Sequence, residues 1–157
     1  IELEARKNLG FIAKQLKFFS FNANVSIIDS KVDLSGTGST VTNLERRLQG
    51  QSPYTINLGM YYDNSDLGTS VNLSYNRFGK RISEVGLEGL ADIEENGRDV
   101  LDVSVIQKLF KNFEVKLSVK DIFAQDYLFT QDVNGKEEMF KKFNAGTGYS
   151  LSLSFKY

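Results

Sequence analysis

The chain has 157 residues, a formal net charge of −1, and neither cysteine nor histidine. A balanced charge gives no reason to expect a nucleic-acid partner, and a chain without cysteine cannot form disulfides or thiolate metal sites. Histidine is the commonest general base and metal ligand, so its absence leads us to expect no enzyme activity, no metal site and no cofactor.

Seven segments alternate apolar and polar residues, which is typical of strands with two different faces. In chain order they are 1–6, 19–27, 54–62, 70–76, 101–108, 113–120 and 149–157. The last segment alternates without a break from Tyr149 to Tyr157. We therefore predict an all-β, antiparallel chain that forms one domain over 1–157.

The connections between these segments alternate in length. Short ones are predicted near 8–16, 63–67 and 111–112, and long polar loops near 31–52, 79–97 and 124–144. Membrane β-barrels have this arrangement, with short turns on the periplasmic side and long loops outside. The chain begins inside a strand pattern with no initiator methionine or signal peptide, which we interpret as a cut or processed end.

The apolar faces carry no charged residue near their middles, as lipid contact requires, because Lys or Arg at the bilayer midplane costs about 2–4 kcal/mol. Aromatic residues lie near the strand ends, at Tyr54, Tyr62, Tyr75, Phe113, Tyr149 and Tyr157. Alternation alone also fits a soluble, secreted β-sandwich binding module, in which a second sheet covers the apolar face. Seven strands cannot close a bacterial single-chain barrel, so in the membrane interpretation they belong to a larger one.

Two charged stretches have simple interpretations. The run 63–68 resembles the start of a calcium loop, but its twelfth position is Ser74 rather than glutamate, so we predict a turn. Glu94 and Glu95 with Asp92 could form a carboxylate pair for acid–base work or cation binding, but in a long polar loop without histidine or cysteine we predict a cluster of solvated charges.

Several motifs, in the right order over nearly the whole chain, resemble TonB-dependent outer-membrane receptors, most closely those of Bacteroidota. They are Arg46-Arg47-Leu48-Gln49-Gly50-Gln51-Ser52-Pro53-Tyr54-Thr55-Ile56-Asn57-Leu58-Gly59, Gly97-Arg98-Asp99-Val100-Leu101-Asp102, Val119-Lys120-Asp121-Ile122-Phe123-Ala124-Gln125-Asp126-Tyr127 and Phe155-Lys156-Tyr157. In the third motif, Asp121 and Ile122 stand where many members have asparagine and leucine.

The resemblance implies a transmembrane barrel of about 22 strands that holds a plug domain. This chain would be its C-terminal portion, about strands 16 to 22, without the plug. The implied function is import of a scarce nutrient, an iron chelate, cobalamin or an oligosaccharide, across the cell outer membrane.

The implied partners are the lipid bilayer, the upstream strands and plug of the same receptor, and TonB through the absent N-terminal part. The barrel-assembly machinery would recognise Phe155 and Tyr157, and a surface lipoprotein lid is a further candidate partner. Tyr127 and Phe129, in a long loop, are candidate ligand contacts that could stack on a sugar or chelate ring. Their alternative role is packing in the loop or in an outer aromatic girdle.

Overall fold

The computed structural model describes residues 1–36, 38, 40–110 and 112–156. Within them the chain is all-β and antiparallel, as predicted, and all seven predicted strands form. They are β1 (Glu2–Asn8), β2 (Phe19–Ile27), β5 (Tyr54–Asn64), β6 (Thr69–Phe78), β9 (Asp99–Leu109), β10 (Phe113–Lys120) and β13 (Gly148–Phe155). They pair in the order β1-β2-β5-β6-β9-β10-β13, and we call this the main sheet. It is open, with β1 and β13 as its edges.

The predicted long loops are wrong, because each contains strands. They are β3 (Val32–Asp33), β4 (Glu45–Arg46), β7 (Arg81–Glu84), β8 (Ile93–Glu95), β11 (Tyr127–Val133) and β12 (Lys136–Phe143). Strands β3 and β4 pair with each other. The other four form a second sheet in the order β12-β11-β8-β7, which we call the distal sheet. Seven is therefore the strand number of the main sheet, while the described residues contain thirteen strands.

The distal sheet continues the main sheet beyond its long-connection end. Strand β7 follows β6 and β8 precedes β9, while β11 follows β10 and β12 precedes β13. The neighbour order β7-β8-β11-β12 thus repeats the order β6-β9-β10-β13. Strand pairing is interrupted between the two sheets, and we call this interruption the break. The backbones of Gly97 and Phe78 approach closely there, so that a Cβ atom on Gly97 would lie 2.2 Å from the carbonyl oxygen of Phe78.

The opposite end of the main sheet has tight connections. Between β1 and β2 the chain forms two 3₁₀ turns, Leu9–Phe11 and Lys14–Leu16. Between β5 and β6 the side chain of Asn64 accepts hydrogen bonds from the amides of Asp66 and Leu67, at 3.1 and 3.2 Å. This run was predicted to be a turn, and it is one. Strands β5 and β9 have 11 residues each, whereas the other strands of the main sheet have 7 to 10.

Very little of the described chain is a conventional core. Ile82 and Ile93, both in the distal sheet, are its only buried apolar side chains. No helix among the described residues is both long enough and apolar enough to cross a membrane.

Candidate functional site

The apolar face of the main sheet runs across all seven strands. Cross-strand pairing places Leu73 of β6 between Met60 of β5 and Val103 of β9. The row continues through Val119 of β10 to Tyr149 of β13. Because the period of a strand is two, one such row fixes which side chains share the face. The sequence prediction of the face is confirmed.

This apolar face stays uncovered within the described residues. Leu73 is 39% exposed, Leu117 48%, Leu153 61% and Leu151 65%. A β-sandwich buries such a face between two sheets. The distal sheet instead extends the main sheet lengthwise, so no second layer lies over these leucines.

Aromatic side chains mark both ends of the apolar face. At the short-turn end, the ring of Tyr62 lies 4.9 Å from that of Phe19 and 6.1 Å from that of Phe18. At the long-connection end, the Tyr75 hydroxyl donates a 2.5 Å hydrogen bond to Asp99. The only carboxylate of β9 on this face is therefore held at its end, and polar groups border the apolar area rather than interrupt it.

An arginine completes that polar border. Arg77 Nη1 lies 2.7 and 2.6 Å from the two carboxylate oxygens of Asp99. Arg77 Nε also donates to the hydroxyl of Tyr54 at 3.4 Å. Both charges are thus paired where the apolar face ends.

The opposite face is a hydrogen-bonded polar surface. Asn76 donates to Asn57 at 2.7 Å, Asn57 donates to Asn24 at 3.4 Å, and Asn24 donates to Glu2. Four adjacent strands are thereby linked by one side-chain ladder. The amide side chains of this ladder are uncharged, and each forms hydrogen bonds with its neighbours. The ladder therefore adds little net charge to a face that can contact water.

Charged residues on the polar face are distributed unevenly. Glu114, Lys116 and Lys120 of β10 share this face. Towards the other edge, β1 contributes Glu2 and Glu4 to the same face. Arg6 of β1 shares this face as well, so the charged residues sum to −1 on β1 and to +1 on β10.

The distal sheet places the two candidate ligand contacts in one cluster. Tyr127 pairs with Phe143 across β11 and β12, and their rings stack 4.7 Å apart at an angle of 3°. The ring of Phe129 lies 6.2 Å from that of Phe143, at 14°. The Arg98 guanidinium lies 4.0 Å from the centre of the Tyr127 ring, and Lys141 Nζ lies 5.1 Å from that of Phe143. We call these five residues the aromatic platform.

The platform is already internally packed. Tyr127 lies against both Arg98 and Phe143, so a flat ligand has little of its ring left to stack on. Arg98 also donates to the Tyr127 hydroxyl and is paired at 2.6 Å with Asp121, and both charged side chains are nearly buried. This geometry favours loop packing for Tyr127. Phe129 belongs to the same packed cluster, because its ring lies 6.2 Å from that of Phe143 and 5.8 Å from Lys141 Nζ.

Sequence reasoning missed three members of the platform. Lys141 and Phe143 belong to β12 and Arg98 directly precedes β9, and the pairing of β11 with β12 and β8 brings them together. A local signal for that hairpin exists at Asn134-Gly135, where both residues have positive φ, 55° and 79°. Asn-Gly between two extended stretches is the strongest short-range sign of a hairpin.

The other side of the distal sheet is a network of ion pairs. Lys80 lies 2.6 Å from Glu137 and 3.0 Å from Glu94, and Thr130 donates to Glu137 at 2.6 Å. The Lys80 ammonium and the Thr130 hydroxyl lower the pKa of Glu137. Partial burial alone would lower the pKa of Lys80, but the two carboxylates outweigh it and the pKa is raised.

The acidic residues predicted to be solvated are in fact bound in place. Besides the contact of Glu94 with Lys80, Glu95 is buried and lies 2.7 Å from Arg81 Nη2. The prediction was wrong because Glu94 and Glu95 lie in a paired strand, which places each carboxylate beside a cation. The run of charged residues gives no sign of that strand in the sequence. The side of the distal sheet that carries Thr130 and Glu137 borders a cavity of about 700 Å³. Its lining includes Asn96, Leu128, Thr130, Glu137, Met139 and Lys142.

The candidate assembly signal lies at the short-turn end of β13. Phe155 pairs with Phe113 of β10 and is 64% exposed on the apolar face. Tyr157 lies outside the described residues. A role for either residue in assembly stays a prediction.

Comparison with models of known protein families, with curated proteins and with solved structures finds no match.

Proposed function

We propose that this chain forms the last seven strands of the wall of a TonB-dependent outer-membrane receptor, a transport protein rather than an enzyme. The observation that carries the proposal is the apolar face that crosses the whole main sheet and that no other part of the described chain covers. Burying apolar surface is worth roughly 25 cal/mol per Å², so a face of this extent needs an apolar environment. Lipid supplies it, and the aromatic borders suit the two membrane interfaces.

The open edges of the main sheet fit the same proposal. In lipid, every backbone amide and carbonyl must be paired, so strands β1 and β13 need neighbours. The upstream strands of the same receptor would supply them and close a barrel of about 22 strands. The Ser- and Asn-rich face then lines the lumen, where it meets water and the plug. The distal sheet projects beyond the membrane on the outer side.

Transport would follow the course implied by the family resemblance. A scarce nutrient binds from outside, and TonB, acting on the absent N-terminal part, drives its passage. The barrel-assembly machinery would insert the protein, and a surface lipoprotein lid remains a candidate partner.

Fractionation of the producing cells tests the location of the protein. We expect it in the outer-membrane fraction, resistant to a high-salt wash and released by detergent. Denaturing mass measurement of the extracted protein should then give several times 17.7 kDa, the mass of this chain. A protein released by salt alone, or freely soluble without detergent, would contradict the proposal and favour the sandwich.

Uptake measurement tests the energy source. Deletion of TonB should abolish accumulation of the nutrient without changing the amount of receptor in the outer membrane. If the nutrient accumulates equally well without TonB, the protein is a passive pore and the proposed TonB-dependent import is contradicted.

A further inference from the structure

A patch that is both basic and apolar lies at the short-turn end of the main sheet, in the connection between β1 and β2. Lys7 is near the end of β1, and Phe11, Ile12, Lys14 and Lys17 lie in or directly beside the two 3₁₀ turns. We call these five residues the turn patch. It is separate from the distal sheet, which extends the opposite end of the main sheet.

One side chain holds this connection in shape. Asn8 Nδ2 donates a 2.8 Å hydrogen bond to the carbonyl oxygen of Lys17, and Asn8 Oδ1 accepts one of 2.8 Å from the amide of Gly10. The backbones of Gly10 and Lys17 also approach closely, since a Cβ atom on Gly10 would lie 3.2 Å from the Cα atom of Lys17. The two ends of the connection are thus tied together, and the residues between them are displayed on a loop of defined shape.

Two large apolar side chains protrude from this loop. Phe11 is 68% exposed, and its neighbour Ile12 is 63% exposed. Lys7 Nζ lies 5.6 Å from the centre of the Phe11 ring. Exposed apolar side chains next to lysines are typical of segments that lie in a membrane interface, where the apolar groups enter the acyl layer and the lysines meet the headgroups.

The turn patch has three positive charges without a carboxylate partner among the described residues. Lys7, Lys14 and Lys17 are exposed, whereas the ion pairs of the described chain lie at the long-connection end or in the distal sheet. Residues 7–18 contain no aspartate or glutamate. The carboxylate of Asp63, in β5, lies on the polar face, where it accepts a 2.7 Å hydrogen bond from Ser70.

The turn patch lies on the same side of the main sheet as the apolar face. Lys7 shares a face with Leu3 in β1, because an even number of residues separates them in one strand. Lys17 Nζ lies 4.6 Å from the centre of the Phe18 ring, and that ring lies 6.1 Å from Tyr62 at the end of the apolar face. Under the proposed function this side meets lipid, whereas the plug would lie on the other side of the wall.

We infer that the turn patch binds an anionic phospholipid of the periplasmic leaflet, with its lysines around the phosphate and with Phe11 and Ile12 in the acyl layer. The inference rests on the proposed function, which puts short turns on the periplasmic side of the membrane. It adds one class of lipid at one place on the protein. A soluble phosphate would leave both apolar side chains in water, so the charge and the apolar groups together favour a phospholipid.

Native mass spectrometry of the natural protein in non-ionic detergent tests the inference without requiring transport. The probes are phosphatidylglycerol and phosphatidylcholine with identical acyl chains. Phosphatidylglycerol should bind at least about fivefold more tightly, since each lysine near an anionic lipid surface contributes about this factor. A higher concentration of ammonium acetate should reduce the difference, because salt screens exposed charges. Soluble glycerol 1-phosphate should not displace the lipid.

Substitution locates the site. Changing the three lysines of the turn patch to glutamine should weaken binding of phosphatidylglycerol at least about fivefold and leave binding of phosphatidylcholine unchanged. Changing them to arginine keeps the charge and should keep the preference. The control removes the same charge from three exposed residues of the long connections and should bind both lipids as the natural protein does; it is Lys31→Gln/Arg47→Gln/Lys136→Gln. Unaltered migration on a gel without heating verifies that each variant is folded.

Any of four results would overturn the inference: equal binding of the two lipids by the natural protein, a preference that salt does not reduce, displacement by glycerol 1-phosphate, or an equal loss in the glutamine variant and the control. A failure of the proposed function would look different. The protein would then be absent from the outer membrane and soluble without detergent, whatever the lipid measurements show.

Discussion

The substitution Leu151→Arg tests whether lipid covers the apolar face. Leu151 is central in β13, pairs with Leu117 of β10, and is 65% exposed. In a bilayer, an arginine near the midplane should destabilise the folded protein by about 2–4 kcal/mol. In water, the same substitution at so exposed a site should change stability by less than about 0.5 kcal/mol. The two environments thus differ by at least about 1.5 kcal/mol, roughly a factor of ten in the unfolding equilibrium.

The neighbouring residue provides a matched control. Ser152 lies next to Leu151 in the same strand but on the polar face, so Ser152→Arg adds the same side chain to the proposed lumen. Both variants of the natural protein would be folded into phosphatidylcholine vesicles and titrated with urea, with folded protein detected by its faster migration on a gel without heating. We expect a lower urea midpoint for Leu151→Arg alone. Equal midpoints for the two variants would refute the assignment of this face to lipid.

Three further predictions concern assembly, the break between the sheets, and pH. Under the proposed function, Tyr157→Ala should reduce the amount of folded protein in the outer membrane, and unchanged abundance would exclude this residue as an assembly signal. Gly97→Ala should cost about 1–3 kcal/mol in urea titrations, because its Cβ would lie 2.2 Å from the Phe78 carbonyl oxygen, whereas Gly148→Ala meets only an ordinary 3.8 Å contact and should cost less. The folded-state pKa of Glu137 is lowered, so its contribution to stability is fully present above the unfolded pKa of about 4.3 and is lost as pH falls through the folded value. The amide NMR signals of β11 and β12 should therefore lose intensity on acidification. If the signals of a Glu137→Gln variant lose the same intensity over the same pH range, another group is responsible.

The main sheet could be predicted from the sequence because each of its strands carries its own signal. Alternation in 54–62 or 113–120 needs no knowledge of the rest of the chain. Antiparallel pairing of consecutive strands then aligns the apolar faces, since any one-residue shift would turn a whole strand over.

The distal sheet could not be predicted in this way. Strand β12 reads Lys-Glu-Glu-Met-Phe-Lys-Lys-Phe, with no alternation, and a bulge between Phe129 and Thr130 shifts its register against β11. Its stability comes from ion pairs and ring contacts between distant segments, such as Lys80 with Glu137. The only local sequence signal for the hairpin of β11 and β12 is the dipeptide Asn134-Gly135. For the same reason the platform was seen as two separate aromatic residues, Tyr127 and Phe129, without their partners.

The break between the two sheets gives the chain two regions that tolerate change differently. A one-residue insertion within the main sheet would exchange its apolar and polar faces from that point onward in the strand. The shift caused by the same insertion in β11 or β12 would end before the main sheet, because the segments 121–126 and 144–147 lie outside the strands and separate β11 from β10 and β12 from β13. Strands of the distal sheet can therefore be lengthened, shortened or exchanged while the main sheet keeps its register. Under the proposed function, insertions in the distal sheet would change the outer surface, whereas the same insertions a few residues further along the chain would exchange the two faces of a main-sheet strand.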